Sequence, residues 1–352
     1  MNDVAVVGFA QSVEDRTQGT TNGVEMLVPL FQRLYDELGI AKTDIGFWCS
    51  GSSDYLAGRA FSFISAIDAI GAYPPIMESH VEADAAWALY EAWVKLRTGE
   101  VDTALVYGFG KSTAGELRRV LAMQLDPYTV APLWPDATAL AALQARLGIE
   151  AGLWSEKDMA EVAARHTNAD AGALLEAPYT TDPLRAHDCA PYADGAAAVV
   201  LAAGDRAREL RERPAWITGI EHRIDSPSLG ARDLTRAPSA AAAGSAARAA
   251  GAARAARAAD IEIAELHAAY THQQLMLRRE LELADGVEVN PRGGVLKGHA
   301  MFAAGLARIG EAAQHIISGQ ARRTLAHASN GPLLQQNLVC VMSADPASQE
   351  GR

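Results

Sequence analysis

The sequence predicts an α/β protein built from two similar halves. Three observations carry this: short apolar runs of strand character alternate with longer amphipathic or alanine-rich segments, the same element order occurs twice, and a proline-bearing stretch separates the two occurrences.

In the first half, Val4 to Phe9 reads as a strand and Gly23 to Leu38 as a helix with apolar residues at helical spacing. Asp44 to Gly51 is a second strand, followed by a helix over Phe61 to Ile70 and a strand over Ile76 to Val81. A helix over Ala83 to Arg97 and a strand over Val101 to Gly110 complete the repeated unit. The rhythm breaks over Ser112 to Ala190, which holds Pro127, Pro132, Pro135, Pro178 and Pro183 and helical pieces near Leu140 to Leu147 and Glu156 to Arg165. An excursion of that length inside a compact protein is usually functional or a subdomain.

The second half restarts at Pro214 with the same order. Ala215 to Ile224 is a strand, Ser239 to Ala259 a helix, Ile261 to Leu266 a strand, and a helix begins at Tyr270. A short strand at Val287 to Asn290, a helix over Met301 to Ile317 and strands at Thr324 to Gly331 and Leu333 to Met342 finish the chain. The Ser239 to Ala259 tract of alanine and arginine reads better as a helix than as a basic arm, because alanine is the best helix former. Matching halves imply a duplicated fold with two central sheets, one per half, packed around shared helices. Residues 1–111 with 191–213 form the N-terminal half, 112–190 an inserted loop domain, and 214–352 the C-terminal half.

Composition narrows the function. The 352 residues are 49% hydrophobic and 21% charged, enough to bury large cores. A formal charge of -12 argues against a nucleic-acid partner, which needs a basic face. No run approaches the roughly 20 apolar residues of a membrane span and Met1 to Ala10 lacks a signal-type pattern, so a cytoplasmic location is expected. Cys49, Cys189 and Cys340 are far apart and odd in number, which fits reduced thiols. None has a Cys or His at ligand spacing, and His267 with His272 is a five-residue step that does not share a helical face, so no metal is expected.

Three segments carry chemistry. The run NPRGGVLKGHAMFAAGLARIGEAA, Asn290 to Ala313, places His299 in a glycine-rich loop just before a helix, whose N-terminal N–H groups and dipole favour developing negative charge. The run DCAPYADGAAAVVLA, Asp188 to Ala202, reads as a turn at Asp194 and Gly195 feeding a buried strand. The third is SNGPLLQQNLVCVM near the C-terminus. Together these segments resemble the thiolase superfamily, in particular its sterol-carrier-type branch and the actinobacterial lipid-transfer proteins, over nearly the whole chain. The resemblance implies a thiolase fold: two βαβαβαββ halves in a layered αβαβα arrangement, with the inserted loop domain covering the substrate and shaping the CoA site.

Thiolase chemistry needs a thiol nucleophile at a helix N-terminus, a base and two oxyanion holes. The resemblance puts Glu82 where the family's nucleophilic cysteine stands, and Ser329, Asn330 and Gly331 where its second cysteine stands. A carboxylate does not readily form the acyl-enzyme thioester. Cys189 and Cys340 read as packing residues. What remains is a polar constellation: His299 matches the family histidine that binds the thioester oxygen, and His267 the sterol-carrier-type histidine at a strand end. The backbone N–H groups of Glu82 and Gly331 would form the other oxyanion hole. Glu82 is expected either to cap its helix or, if buried, to act as a base, with Tyr270 and Asp84 nearby.

Three activities compete. One is retro-aldol cleavage of a β-hydroxyacyl-CoA in lipid or sterol side-chain metabolism, which needs a base and an oxyanion hole but no covalent intermediate. Another is a non-catalytic acyl-CoA-binding subunit, a reading favoured if Glu82 and His299 do not converge on one cavity. The last is an acyltransferase with an atypical nucleophile. No permanently bound cofactor is expected, CoA entering as part of the substrate. The expected partners are a second copy or a thiolase-like sister, joined through the N-terminal half, and a small OB-fold acyl-CoA-binding protein.

Overall fold

The computed structural model describes residues 1–14, 21–54, 63–71, 76–252 and 260–346. The N-terminal half runs β1 (Val4–Glu14), α1 (Gly23–Leu38), β2 (Phe47–Gly51), α2 (Ile64–Ile70), β3 (Glu78–Val81), α3 (Ala85–Thr98) and β4 (Thr103–Lys111). The excursion follows as α4 (Leu117–Met123), α5 (Ala137–Glu150), α6 (Glu156–Thr167), α7 (Ala171–Leu175) and a hairpin of β5 (Tyr179–Thr181) and β6 (Leu184–Arg185). β7 (Tyr192–Ala203) and α8 (Gly204–Leu210) close the half. The C-terminal half runs β8 (Ala215–Ile224), α9 (Pro238–Ala252), β9 (Ile263–Leu266), α10 (Thr271–Glu280), β10 (Glu288–Val289), β11 (His299–Ala300), α11 (Ala304–Ile317), β12 (Arg323–Asn330) and β13 (Gln336–Ser343). The expected helical positions Phe61, Ser62 and 253–259 lie outside the described residues.

The two halves repeat each other strand for strand. The order is β3-β2-β4-β7-β1 in the first and β10-β9-β12-β13-β8 in the second. In each, the first strand is antiparallel to the last, which is antiparallel to the fourth, while the second and third continue in parallel. The expected pair of separate sheets is instead one ladder. β1 and β8 meet antiparallel at Ala5↔Trp216 and Val6↔Ala215 and join the halves edge to edge.

Strand alternation explains the layers. On β7, Ala197, Val199 and Leu201 face a central core with α3 and α11, while Ala196, Ala198 and Val200 face α1 and α2. β12 and β13 do the same, with Ala326, Ala328, Leu338 and Cys340 inward and Leu325, Val339 and Val341 outward toward α9 and α10. Strands covered on both faces read as the continuous apolar runs seen in the sequence. The excursion has no fully separate core: Ala141, Ala145, Trp154 and Met159 share one with the outer face of the C-terminal half.

Two departures from expectation bear on the site. Asp194 and Gly195 lie inside β7, not in a turn, paired with Glu14 and Val13. Asp194 accepts from Thr113 N and Thr113 Oγ1 at 2.9 and 2.8 Å, tying the start of the excursion to the sheet. The last helix of the central layer starts at Ala304, not Met301, because residues 301–303 form a loop pressed onto β4. A Cβ at Gly108 would stand 2.3 Å from the Phe302 carbonyl and one at Gly110 2.4 Å from that of Met301, so only glycine fits there.

Candidate active site

The site forms where the two halves meet. His267 follows the end of β9, and its backbone N–H donates to His327 O at 3.1 Å, which keeps it in the ladder. Asn290, in the left-handed region at φ 49°, clamps the preceding residue: its Oδ1 accepts from Leu266 N at 2.7 Å and its Nδ2 donates to Leu266 O at 3.2 Å. His299 comes from the C-terminal half but is held by the N-terminal one. β11 pairs with β7 at His299↔Tyr192, His299 N donates to Pro191 O at 2.8 Å, and the Tyr192 ring stacks on the imidazole at 5.8 Å.

The two imidazoles meet edge to face with Nε2 atoms 3.2 Å apart. The Ser329 amide approaches His267 Nδ1 at 3.3 Å and can only donate, so the neutral His267 ring carries its proton on Nε2. His299 Nε2 is then the acceptor. One donor and one acceptor side by side match a hydroxyl group, which both gives and takes a hydrogen bond. Burial pushes His299 down to about 4 and His267 well below its usual range, the latter helped by the facing His299. Both rings are therefore neutral near pH 7.

Buried neutral histidines leave a pH signature. His327 and His272 are pushed down to about 4 and about 3 by burial, whereas in the unfolded chain these rings titrate near 6.5. The unfolded chain then takes up protons that the folded one refuses, so stability is full above pH 6.5 and falls as the pH drops toward 4. Urea unfolding at pH 7.5, 6 and 5 is expected to give steadily lower midpoints; equal midpoints would contradict neutral buried rings.

Glu82 does not join the pair. The helix is capped not by Glu82 but by Asp84, and Glu82 is exposed, with Oε1 accepting the Asp54 N–H at 2.8 Å. The burial on which a base role for Glu82 depended is not present. Asp84 is instead the joint of the central layer. It accepts from Ala86 N at the start of α3 and from Gly305 N and Leu306 N at the start of α11, at 2.9, 2.9 and 3.0 Å. This overturns the anion pocket expected at that second helix, whose first amides are taken by Asp84. The cue was the Glu-Ala-Asp sequence, in which Asp is the better N-cap.

Tyr270 is buried as the residue before α10, and the Cys189 backbone forms an antiparallel β-bridge with it. Burial raises the Tyr270 and Tyr192 phenols and pushes the Cys189 thiol up to about 12, while its Sγ donates to Arg185 O at 3.5 Å. Cys49 and Cys340 are buried, and burial raises both further. Gly331, at φ 73°, opens the turn between β12 and β13, where Asn330 Nδ2 donates to Gln336 Oε1 at 3.2 Å. Ser329 links that turn to His267.

Sequence reasoning missed a charged network behind the dyad. Glu265, two residues before His267, accepts from Arg308 Nη1 at 2.5 Å and contacts His315 Nε2 at 3.1 Å, while Glu311 accepts from Arg292 at 2.7 Å. Glu265, Glu311 and His315 converge as metal ligands would, but two arginines already meet the two carboxylates, so the group reads as ion pairs. Arg308, Glu311 and His315 sit at helical spacing on one face, a signal that was present in the sequence.

The Ltp2-ChsH2(DUF35) aldolase structure superposes with a TM-score of 0.77 over 97% of this chain and 98% of that one, at 17% identity. The chain has a thiolase-like fold. Thiolase kinship is supported by sequence as well: an acetyl-CoA acetyltransferase of Methanocaldococcus jannaschii is 25% identical over 88% of this chain and 89% of that protein. One of Methanothermobacter thermautotrophicus is 26% identical over 45% of each chain, so the match spans under half the length of that relative. No family model matches the chain. Among the described residues, no helix of this thiolase-like protein is long and apolar enough to cross a membrane.

Proposed function

We propose that the protein cleaves the carbon–carbon bond of a β-hydroxyacyl-CoA by a retro-aldol reaction, in lipid or sterol side-chain metabolism. The observation that carries this is the His267–His299 pair, a donor and an acceptor 3.2 Å apart, in a chain whose cysteines are all held as thiols. The substrate hydroxyl would accept from His267 Nε2–H and give its proton to His299 Nε2. The Cα–Cβ bond then breaks, its electron pair passing into the thioester enolate as an aldehyde or ketone leaves. An imidazolium in so dry a site is a strong acid, and it returns the proton to Cα to give the shortened acyl-CoA. Acetyl transfer, the activity in the name of the two relatives, would on a thiol mechanism need a thiolate that Cys189 at about 12 does not offer.

One observation favours a second reading. Glu82 rests on the Asp54 amide rather than on the dyad, which suits a chain that binds acyl-CoA while another subunit completes the chemistry. The structural neighbour's name pairs Ltp2 with ChsH2(DUF35), and on that ground a second, OB-fold or thiolase-like chain is proposed as partner. A Cys189→Ala variant separates acyl transfer from both. It is expected to keep turnover of a β-hydroxyacyl-CoA within about threefold of the parent, because the thiol gives up only its weak contact with Arg185 O. Loss of more than a hundredfold, with folding intact, would restore a thiol mechanism.

A further inference from the structure

A cavity of about 180 Å³ lies where the excursion, the loop after β8 and the β12–β13 turn converge, lined by Gln124, Asp126, Val130, Pro227, Arg232 and Pro332 among others. It has room for a phosphate-sized group with water, at roughly 30 Å³ per water. Arg232 is half-buried there in an unusual state. Its Nη2 donates to Leu333 O at 2.7 Å, its buried Nε has no partner, and the guanidinium has no ion-pair partner among the described residues. A buried guanidinium donor left unmet is costly. Two carboxylates stand near it, Asp126 in the lining and Asp225, whose charge acts on the guanidinium, but neither forms an ion pair with Arg232: Asp225 Oδ2 takes Ser239 N and Oγ, and Asp126 Oδ1 takes Tyr128 N, Thr129 N and Thr129 Oγ1. Ser329, whose amide orients His267, is three residues from Pro332, a reach of at most about 11 Å between Cα atoms.

We propose that this cavity is an oxyanion subsite for the substrate of the dyad, with Arg232 as its receptor. This rests on the acyl-CoA reading. The guanidinium fork suits a phosphate of CoA or a carboxylate at the far end of the acyl chain equally, and the two are separated by experiment.

Binding is measured calorimetrically for the parent, Arg232→Gln, Arg232→Lys and Leu229→Trp, the last enlarging another lining residue so that the cavity narrows while the guanidinium stays. The probes are CoA, pantetheine, glutaryl-CoA and pentanoyl-CoA. Arg232→Gln is expected to weaken by about 10–100-fold either every CoA probe or glutaryl-CoA alone, the effect of one charge-assisted contact. Loss for CoA with pantetheine unchanged assigns the phosphate. Loss of the preference for glutaryl-CoA over pentanoyl-CoA, with CoA unchanged, assigns the carboxylate. Arg232→Lys should recover part of the loss, and Leu229→Trp should reproduce it. Unchanged binding of both charged probes in Arg232→Gln and Leu229→Trp overturns the subsite, as does a parent protein that binds neither CoA nor glutaryl-CoA. Arg232-dependent binding without turnover supports the subsite and refutes only the lyase reading.

Discussion

Replacing His299 with alanine is expected to lower kcat for β-hydroxyacyl-CoA cleavage by about a thousandfold or more, with KM changed severalfold at most. On the proposed mechanism His299 Nε2 takes the hydroxyl proton, and a positioned general base contributes about 10²–10⁴-fold. His267→Ala removes the donor that would hold the same hydroxyl, so a loss of similar size is expected. On that mechanism the two act on one hydroxyl group. The double variant should therefore be little worse than either single one, as for groups that work as a unit. Steady-state kinetics of the three variants provides the check. Additive losses, or a His299→Ala enzyme with near-normal kcat, would remove the dyad from the chemistry.

Asp84→Ala is expected to cost about 3 kcal/mol or more of stability. One buried carboxylate accepts three amide hydrogen bonds and starts both helices of the central layer, so its loss strands donors that no water reaches. For a chain of this size, that corresponds to a fall of about 4 °C or more in Tm. Asp84→Asn keeps an acceptor for some of the three amides and should fall between. Because α11 follows the His299 loop, and Ala85 N donates to Phe302 O at 3.0 Å inside that loop, lost activity should accompany lost stability. Thermal unfolding of the three proteins decides it. An alanine variant with an unchanged midpoint would show that the two helices are fixed by packing alone.

The sequence disclosed most of the architecture because periodicity is a local signal. α1 was legible to the residue, since Asn22 and Glu25 form a capping box and Gly39 ends the helix at φ 64°. β8 was equally clear, its strand running from Ala215 to Ile224 between Pro214 and a polar loop. What failed depended on partners distant in sequence. Nothing near Asp194 announces that it sits in a strand opposite Glu14, and a Gly-rich run before a helix gave no sign that Asp84, more than two hundred residues earlier, fills that helix's N-terminus. The Glu265–Arg308 pair was hidden for the same reason. The meeting of His267 and His299 could be expected from family resemblance but not from spacing, because each owes its place to a different strand of the ladder.

The central claim is that the dyad handles a hydroxyl without a thiol. The most direct test is mass spectrometry of products after incubating the protein with a β-hydroxyacyl-CoA and, separately, with the matching β-ketoacyl-CoA plus free CoA. The account predicts a carbonyl fragment and a shortened acyl-CoA from the hydroxy substrate, absent with His299→Ala, and no CoA-dependent cleavage of the keto substrate. Cleavage of the keto substrate that consumes free CoA would contradict it and return the chemistry to a cysteine.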